Sequence, residues 1–138
     1  MLYLVHDDDG RITQSNRVFD PTGYDKLLHD ENYKFVKLDV STVLPLDSHY
    51  IVGSEVVPRG RMSLRVTKRR FKADGLDAAV IKNLPVPCEV TISVGEGVVD
   101  RQTATDRDLE LSSATPGVFK VLIEKFPFLP WTAEFEAV

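Results

Sequence analysis

Trp131-Thr132-Ala133-Glu134-Phe135-Glu136-Ala137 alternates without a break: Trp131, Ala133, Phe135 and Ala137 are apolar, Thr132, Glu134 and Glu136 polar. Successive side chains of an extended chain point to opposite faces, so this period of two predicts a strand with one face in a core and the other in water. Upstream, the pattern recurs at Phe119, Val121 and Ile123, and at Cys88, Val90, Ile92 and Val94 against Glu89, Thr91 and Ser93. It recurs again at Met62, Leu64 and Val66 against Ser63, Arg65 and Thr67. Turn residues separate these runs at Asp74-Gly75, Pro85, Gly95, Pro116-Gly117 and Pro127. Short strands spaced in this way predict an antiparallel sandwich of immunoglobulin-like type. It would lack the inter-sheet disulfide, because Cys88 is the only cysteine.

The N-terminal part reads differently. Leu2 to Val5 is an apolar run, Asp7-Asp8-Asp9-Gly10 a turn, and Arg11 to Phe19 a second extended run. Asp-Gly favours a tight type I′ turn, so residues 1–20 predict a hairpin ended by Pro21. Tyr24, Leu27 and Leu28 stand at i, i+3 and i+4, which predicts one short helix with Thr22 as its N-cap. Tyr33 to Asp39 alternates imperfectly, and His49–Gly53 with Glu55–Pro58 predicts two short strands around a Gly-Ser turn. The expected fold is therefore mainly β: a small α+β unit (hairpin plus one short helix) over residues 1–67, then the sandwich over 68–138. Each part is near the lower size limit for independent stability.

The 138 residues are 43% hydrophobic and 28% charged, which excludes disordered, collagen-like and low-complexity classes. No apolar run reaches the roughly 18 residues of a membrane-spanning helix, and acidic residues arrive by Asp7, so neither membrane insertion nor a signal peptide is expected. The net charge of −4 is unevenly laid out: Arg59, Arg61, Arg65, Lys68, Arg69, Arg70 and Lys72 are seven of the seventeen basic residues. Such a run tracks phosphates, blunts a sheet edge or meets a protein. Without a helix-turn-helix, a zinc module or an aromatic RNA-binding strand, and in an acidic chain, nucleic acid is the weaker reading. Arg65, Lys68, Arg69 and Arg70 are candidate protein-contact residues.

Catalytic and cofactor patterns are missing. Aligning Gly10 with the glycine of a calcium loop puts Val5 and Asn16 where ligands must be, so Asp7–Gly10 reads as a turn. His6, His29 and His49 have no paired metal-ligand spacing, and no nucleophile elbow occurs. Cys88 falls at an inward strand position, where burial makes a thiol inert. Gly95-Glu96-Gly97 is too short for a dinucleotide fingerprint, and Asp106 with Asp108 lies in a polar stretch without a pocket signature. No enzyme, cofactor or metal is expected.

Several segments together resemble a known group. Ala73-Asp74-Gly75-Leu76-Asp77-Ala78-Ala79-Val80-Ile81-Lys82-Asn83-Leu84-Pro85, then Pro116-Gly117-Val118-Phe119, then Phe126-Pro127-Phe128-Leu129-Pro130-Trp131, are similar to small proteins encoded in the tail-gene region of tailed bacteriophages. The Tyr3–Ile12 hairpin and the Tyr50–Arg59 segment are similar too. Physically these are turn and packing motifs: Gly75 and Gly117 suit positive φ, and Trp131 and Phe135 supply core bulk. The resemblance implies a virion structural protein, a tail or tail-fibre-attachment component present in several copies with other phage structural proteins as partners, in the virion and, during assembly, the host cytoplasm. It carries over no active-site residue. Phe128 and Leu129, apolar residues in a turn, are either a cap on the sandwich or a contact patch. Alternatives are a tail-fibre assembly chaperone absent from the finished particle and a host-surface or carbohydrate-binding module.

Overall fold

Leu2, Tyr3, Leu4 and Val5 are apolar at four successive positions, and all four are buried. A strand buries consecutive residues only when both faces of its sheet are covered. The computed structural model, which describes residues 1–39 and 46–138, shows how. Strand β1 (Leu2–His6) is the centre of a three-stranded antiparallel sheet, between β2 (Ile12–Arg17) and, after helix α1 (Tyr24–Asp30), β3 (Lys34–Leu38). On one face Tyr3 and Val5 pack with Leu28 of the helix, Tyr24 and Phe35. On the other, Leu2, Leu4 and Ile12 pack with Ile51 and Val56, from the hairpin of β4 (His49–Val52) and β5 (Glu55–Pro58). This double cover explains the imperfect alternation of β3, where Phe35 faces the helix and Val36 the hairpin.

Three local expectations are corrected. The β1–β2 turn is not type I′, since Gly10 alone takes positive φ, at 86°. The Asp7 carboxylate organises it instead, accepting the Asp9 and Arg11 N–H groups at 3.0 and 2.8 Å. Thr22 is not the helix cap; the chain enters α1 through Gly23 at φ 77°, and Asp20 accepts the Thr22 N–H at 3.1 Å. Leu27 is exposed, so the buried face of this two-turn helix narrows to Leu28 with Tyr24.

The second unit is a sandwich. Its strands are β6 (Arg65–Val66), β7 (Arg70–Phe71), β8 (Ala79–Lys82), β9 (Cys88–Val94), β10 (Gly97–Ala104), β11 (Leu109–Leu111), β12 (Gly117–Glu124) and β13 (Trp131–Ala137). One sheet has the order β10-β9-β12-β13-β7, the other β11-β8-β6. The first strand of the sandwich is thus broken in two: β6 runs antiparallel to β8 in the small sheet, then β7 runs parallel to β13 in the large one. With β8 and β11 facing β9, β10, β12 and β13, this is an immunoglobulin-like strand order without the strand that usually follows β10. Between the sheets lie Cys88, Val90, Val121, Ile123, Ala133, Phe135 and Ala137, inward positions read from alternation, together with Ala79 and Ile81, which were not; Val94, expected on the inward face of β9, is exposed at its end. Burial raises the Cys88 thiol pKa, with a smaller push from Glu89.

The two units divide at Arg59/Gly60, not near residue 67. Residues 60–67 belong to the sandwich: β6 is a strand of its small sheet, Met62 joins its core, and the Gly60 carbonyl accepts the Leu129 N–H at 2.7 Å. Met62, Leu64 and Val66 keep their alternating burial, but only Arg65 and Val66 are paired as a strand. Gly117 begins β12 and is not among the positive-φ glycines, whereas Gly75 has φ 76°.

Candidate interaction surfaces

Phe128 and Leu129 are half-buried. The Phe128 N–H donates to the Lys125 carbonyl at 2.8 Å, closing a turn, and its ring packs on the sandwich core. With Leu129 tied to Gly60, this turn caps one end of the sandwich. Beside it Arg61, Met62, Asn83, Leu84, Arg107 and Phe128 line an open cavity of about 460 Å3.

Of the basic run, Arg65, Lys68, Arg69, Arg70 and Lys72 lie on β6, on β7 and on the residues that join or follow them. Lys68 pairs with the Asp77 carboxylate, which also accepts the Lys72 N–H at 2.8 Å. Those two contacts, Lys68 first, hold the Asp77 pKa below the usual carboxylate range. Asp74 is lowered as well, by the Asp77 and Leu76 N–H groups it accepts at 2.8 and 2.9 Å. The segment Asp74-Gly75-Leu76-Asp77 is therefore a carboxylate-organised turn. Arg70 lies 3.9 Å from Glu136. Arg65 and Arg69 are exposed and have no ion-pair partner among the described residues.

Strands β10 and β11 stand at sheet edges, and alternation gave no sign of β10. From Gly97 to Thr103 every residue of β10 is exposed. Among the described residues no strand pairs with its outer backbone edge. Val98 pairs with Ser93 and Asp100 with Ile92, so Val99 is the extra residue of a β-bulge. It lines an apolar cavity of about 180 Å3 with Ile92, Leu111, Phe119 and Phe135. Val99 is 61% exposed, and Val94, Val98 and Val118 are exposed at the same hairpin or on the strand next to it. The sequence signal for this surface is the adjacent pair Val98-Val99, which a one-sided strand does not need.

In the first unit Tyr3 is completely buried, and its hydroxyl donates to Asp25 at 2.5 Å; Lys37 donates to the other Asp25 oxygen, also at 2.5 Å. The hydrogen bond to Asp25, then burial, pushes the Tyr3 pKa up to about 12. Asp25 is lowered by Lys37 first and Tyr3 second. His6 and His29 line an open cavity with Asp25, Tyr33 and Phe35, but Asp25 is already engaged by Tyr3 and Lys37. Among the described residues no group of three His, Cys, Asp or Glu is placed to hold a metal ion, and no helix is long and apolar enough to cross a membrane.

The chain matches no family model, no curated protein and no solved structure.

Proposed function

We propose that this chain is a structural protein of a tailed-phage virion, a tail or tail-fibre-attachment component that acts through protein–protein contacts and carries no catalysis. The observation that carries the contact role is β10, an eight-residue strand at a sheet edge with exposed valines at its turn. Unpaired edges of this kind invite pairing unless they are covered, and in an assembly the neighbour covers them. The phage context rests on the resemblance of the turn and packing motifs. The test is deletion of the gene in the phage or prophage that encodes it, followed by electron microscopy of the lysate. Defective tails or missing fibres are expected; normal, infectious particles would overturn the reading.

A host-surface-binding role is the second reading, favoured by the cavity that Arg61, Asn83, Arg107 and Phe128 line together. Binding of an acidic glycan that is lost in Arg107→Ala would move it to first place.

A further inference from the structure

The cavity of about 460 Å3 beside the Phe128 turn lies within the range of about 300–1,000 Å3 usual for small-ligand sites. Its lining comes from separate segments of the sandwich that backbone hydrogen bonds hold together. The Leu129 N–H donates to the Gly60 carbonyl at 2.7 Å, next to Arg61, and the Leu84 N–H to the Arg107 carbonyl at 3.0 Å. Met62 and Leu84, which also line the cavity, belong to the sandwich core. The frame is therefore set before a ligand arrives, and little ordering is left to weaken binding.

The charge of this lining has one sign. Arg61 and Arg107 contribute to it and, among the described residues, no carboxylate does. Lys34, Lys37, Lys68, Arg70 and Lys120 are each paired with an acid, whereas neither Arg61 nor Arg107 has an ion-pair or side-chain hydrogen-bond partner among the described residues. Both are exposed, so their guanidinium donors are open to a ligand. Ser63 and Asn83 add neutral hydrogen-bonding groups, and Phe128 a half-buried aromatic ring. Asn83 is held at φ 67°, a conformation uncommon outside glycine that clusters at ligand sites.

Guanidinium forks match the paired oxygens of a carboxylate or sulfate. Hydroxyls suit Ser63 and Asn83, and the C–H face of a ring suits an aromatic side chain. A sugar ring that carries an acid group combines all three. We propose that this cavity binds an acidic saccharide unit, with its acid group on Arg61 and Arg107, its hydroxyls on Ser63 and Asn83, and its ring against Phe128. The inference rests on the host-surface reading of the cavity for its biological setting, and names the ligand class and the role of each residue.

NMR titration of the purified full chain with methyl β-D-glucuronide, its uncharged counterpart methyl β-D-glucoside, and inorganic sulfate is the test. The glucuronide is expected to shift the amides of Ser63, Asn83, Arg107 and Phe128 saturably, and to bind about tenfold or more tightly than the glucoside. Arg61→Ala and Arg107→Ala each weaken it about tenfold with the melting temperature unchanged, because the side chains are exposed and Leu84 is held by the Arg107 carbonyl. Arg107→Lys keeps the charge without the fork and restores only part of the affinity. No saturable shift, equal binding of the glucoside, or binding that survives Arg61→Ala/Arg107→Ala would overturn the proposal. So would sulfate that binds as tightly as the glucuronide, which would leave a bare anion site, or a glutamate-rich peptide that binds more tightly, which would assign the cavity to a protein partner. Particles carrying Arg61→Ala/Arg107→Ala that infect normally would remove the host-surface reading and leave the binding site standing.

Discussion

Tyr3, on the central strand of the first sheet, donates its hydroxyl hydrogen bond to Asp25 in the helix at 2.5 Å. The bond joins the two layers at the one polar atom of an otherwise fully buried ring, and Tyr24 packs edge-on to that ring at 4.6 Å. A buried hydroxyl without this acceptor would be strongly unfavourable.

The pair makes stability depend on pH at both ends. Tyr3 keeps its proton to about pH 12 in the folded chain, against about 10 in the unfolded one, so the stability it lends is complete below pH 10 and declines between 10 and 12. Asp25, Asp74 and Asp77 are shifted down, so their contribution is present above about pH 4 and is lost as pH falls through their folded values. Tyrosinate absorbance of the native protein should show a step near pH 12 that is absent in Tyr3→Phe. A wild-type titration that Tyr3→Phe leaves unchanged in that range would remove the pair from the account.

Gly10 faces two separate constraints. Its φ is 86°, and a Cβ there would stand 1.9 Å from the Ile51 carbonyl oxygen, whose own N–H donates to the Gly10 carbonyl at 2.7 Å. Gly23 has a similar φ of 77° with open space around it. Gly23→Ala should therefore cost about 1–2 kcal/mol, the ordinary left-handed penalty, and Gly10→Ala clearly more. Urea unfolding of both variants gives the comparison; equal losses would mean that the approach of β4 to the turn does not matter.

Phe128 distinguishes a cap from a contact patch. Complete burial of a phenylalanine is worth about 3–5 kcal/mol on truncation to alanine, so this half-buried ring should cost about 1–2 kcal/mol in Phe128→Ala, with self-association unchanged. No loss of stability would return Phe128 to the candidate contacts.

Dissection tests the unit boundary. A fragment of residues 60–138 should unfold cooperatively, whereas 68–138 lacks β6, Met62 and the Gly60 carbonyl and should be markedly less stable or unfolded. Equal melting temperatures would put the boundary back at residue 67.

The strands legible in the sequence are those with one dry and one wet face: β9, β12 and β13 were readable from Cys88, Val121 and Phe135 and their alternating neighbours. The others obey different physics. In β1 both faces are covered and alternation disappears into an apolar run, although the Asp-Gly turn still marked the hairpin. In β10 from Gly97 to Thr103 both faces are in water, so Asp100, Arg101, Gln102 and Thr103 give no period. Pairs as short as Arg70–Phe71 have no period to read, and for that reason the break between β6 and β7, with the boundary upstream of it, was hidden. Arg65, Arg69 and Arg70 were visible as a charge run. That β10 and β11 stand at the sheet edges opposite β7 and β6 is a product of strand order, which no linear pattern contains.

The most direct test of the central claim is quantitative mass spectrometry of gradient-purified particles from the phage or prophage that encodes the chain, scaled to the major capsid protein. The account predicts stoichiometric presence, with a copy number near a multiple of three or six if the chain lies on the tail axis. A protein abundant in the lysate but absent from particles would contradict it and give precedence to the assembly chaperone.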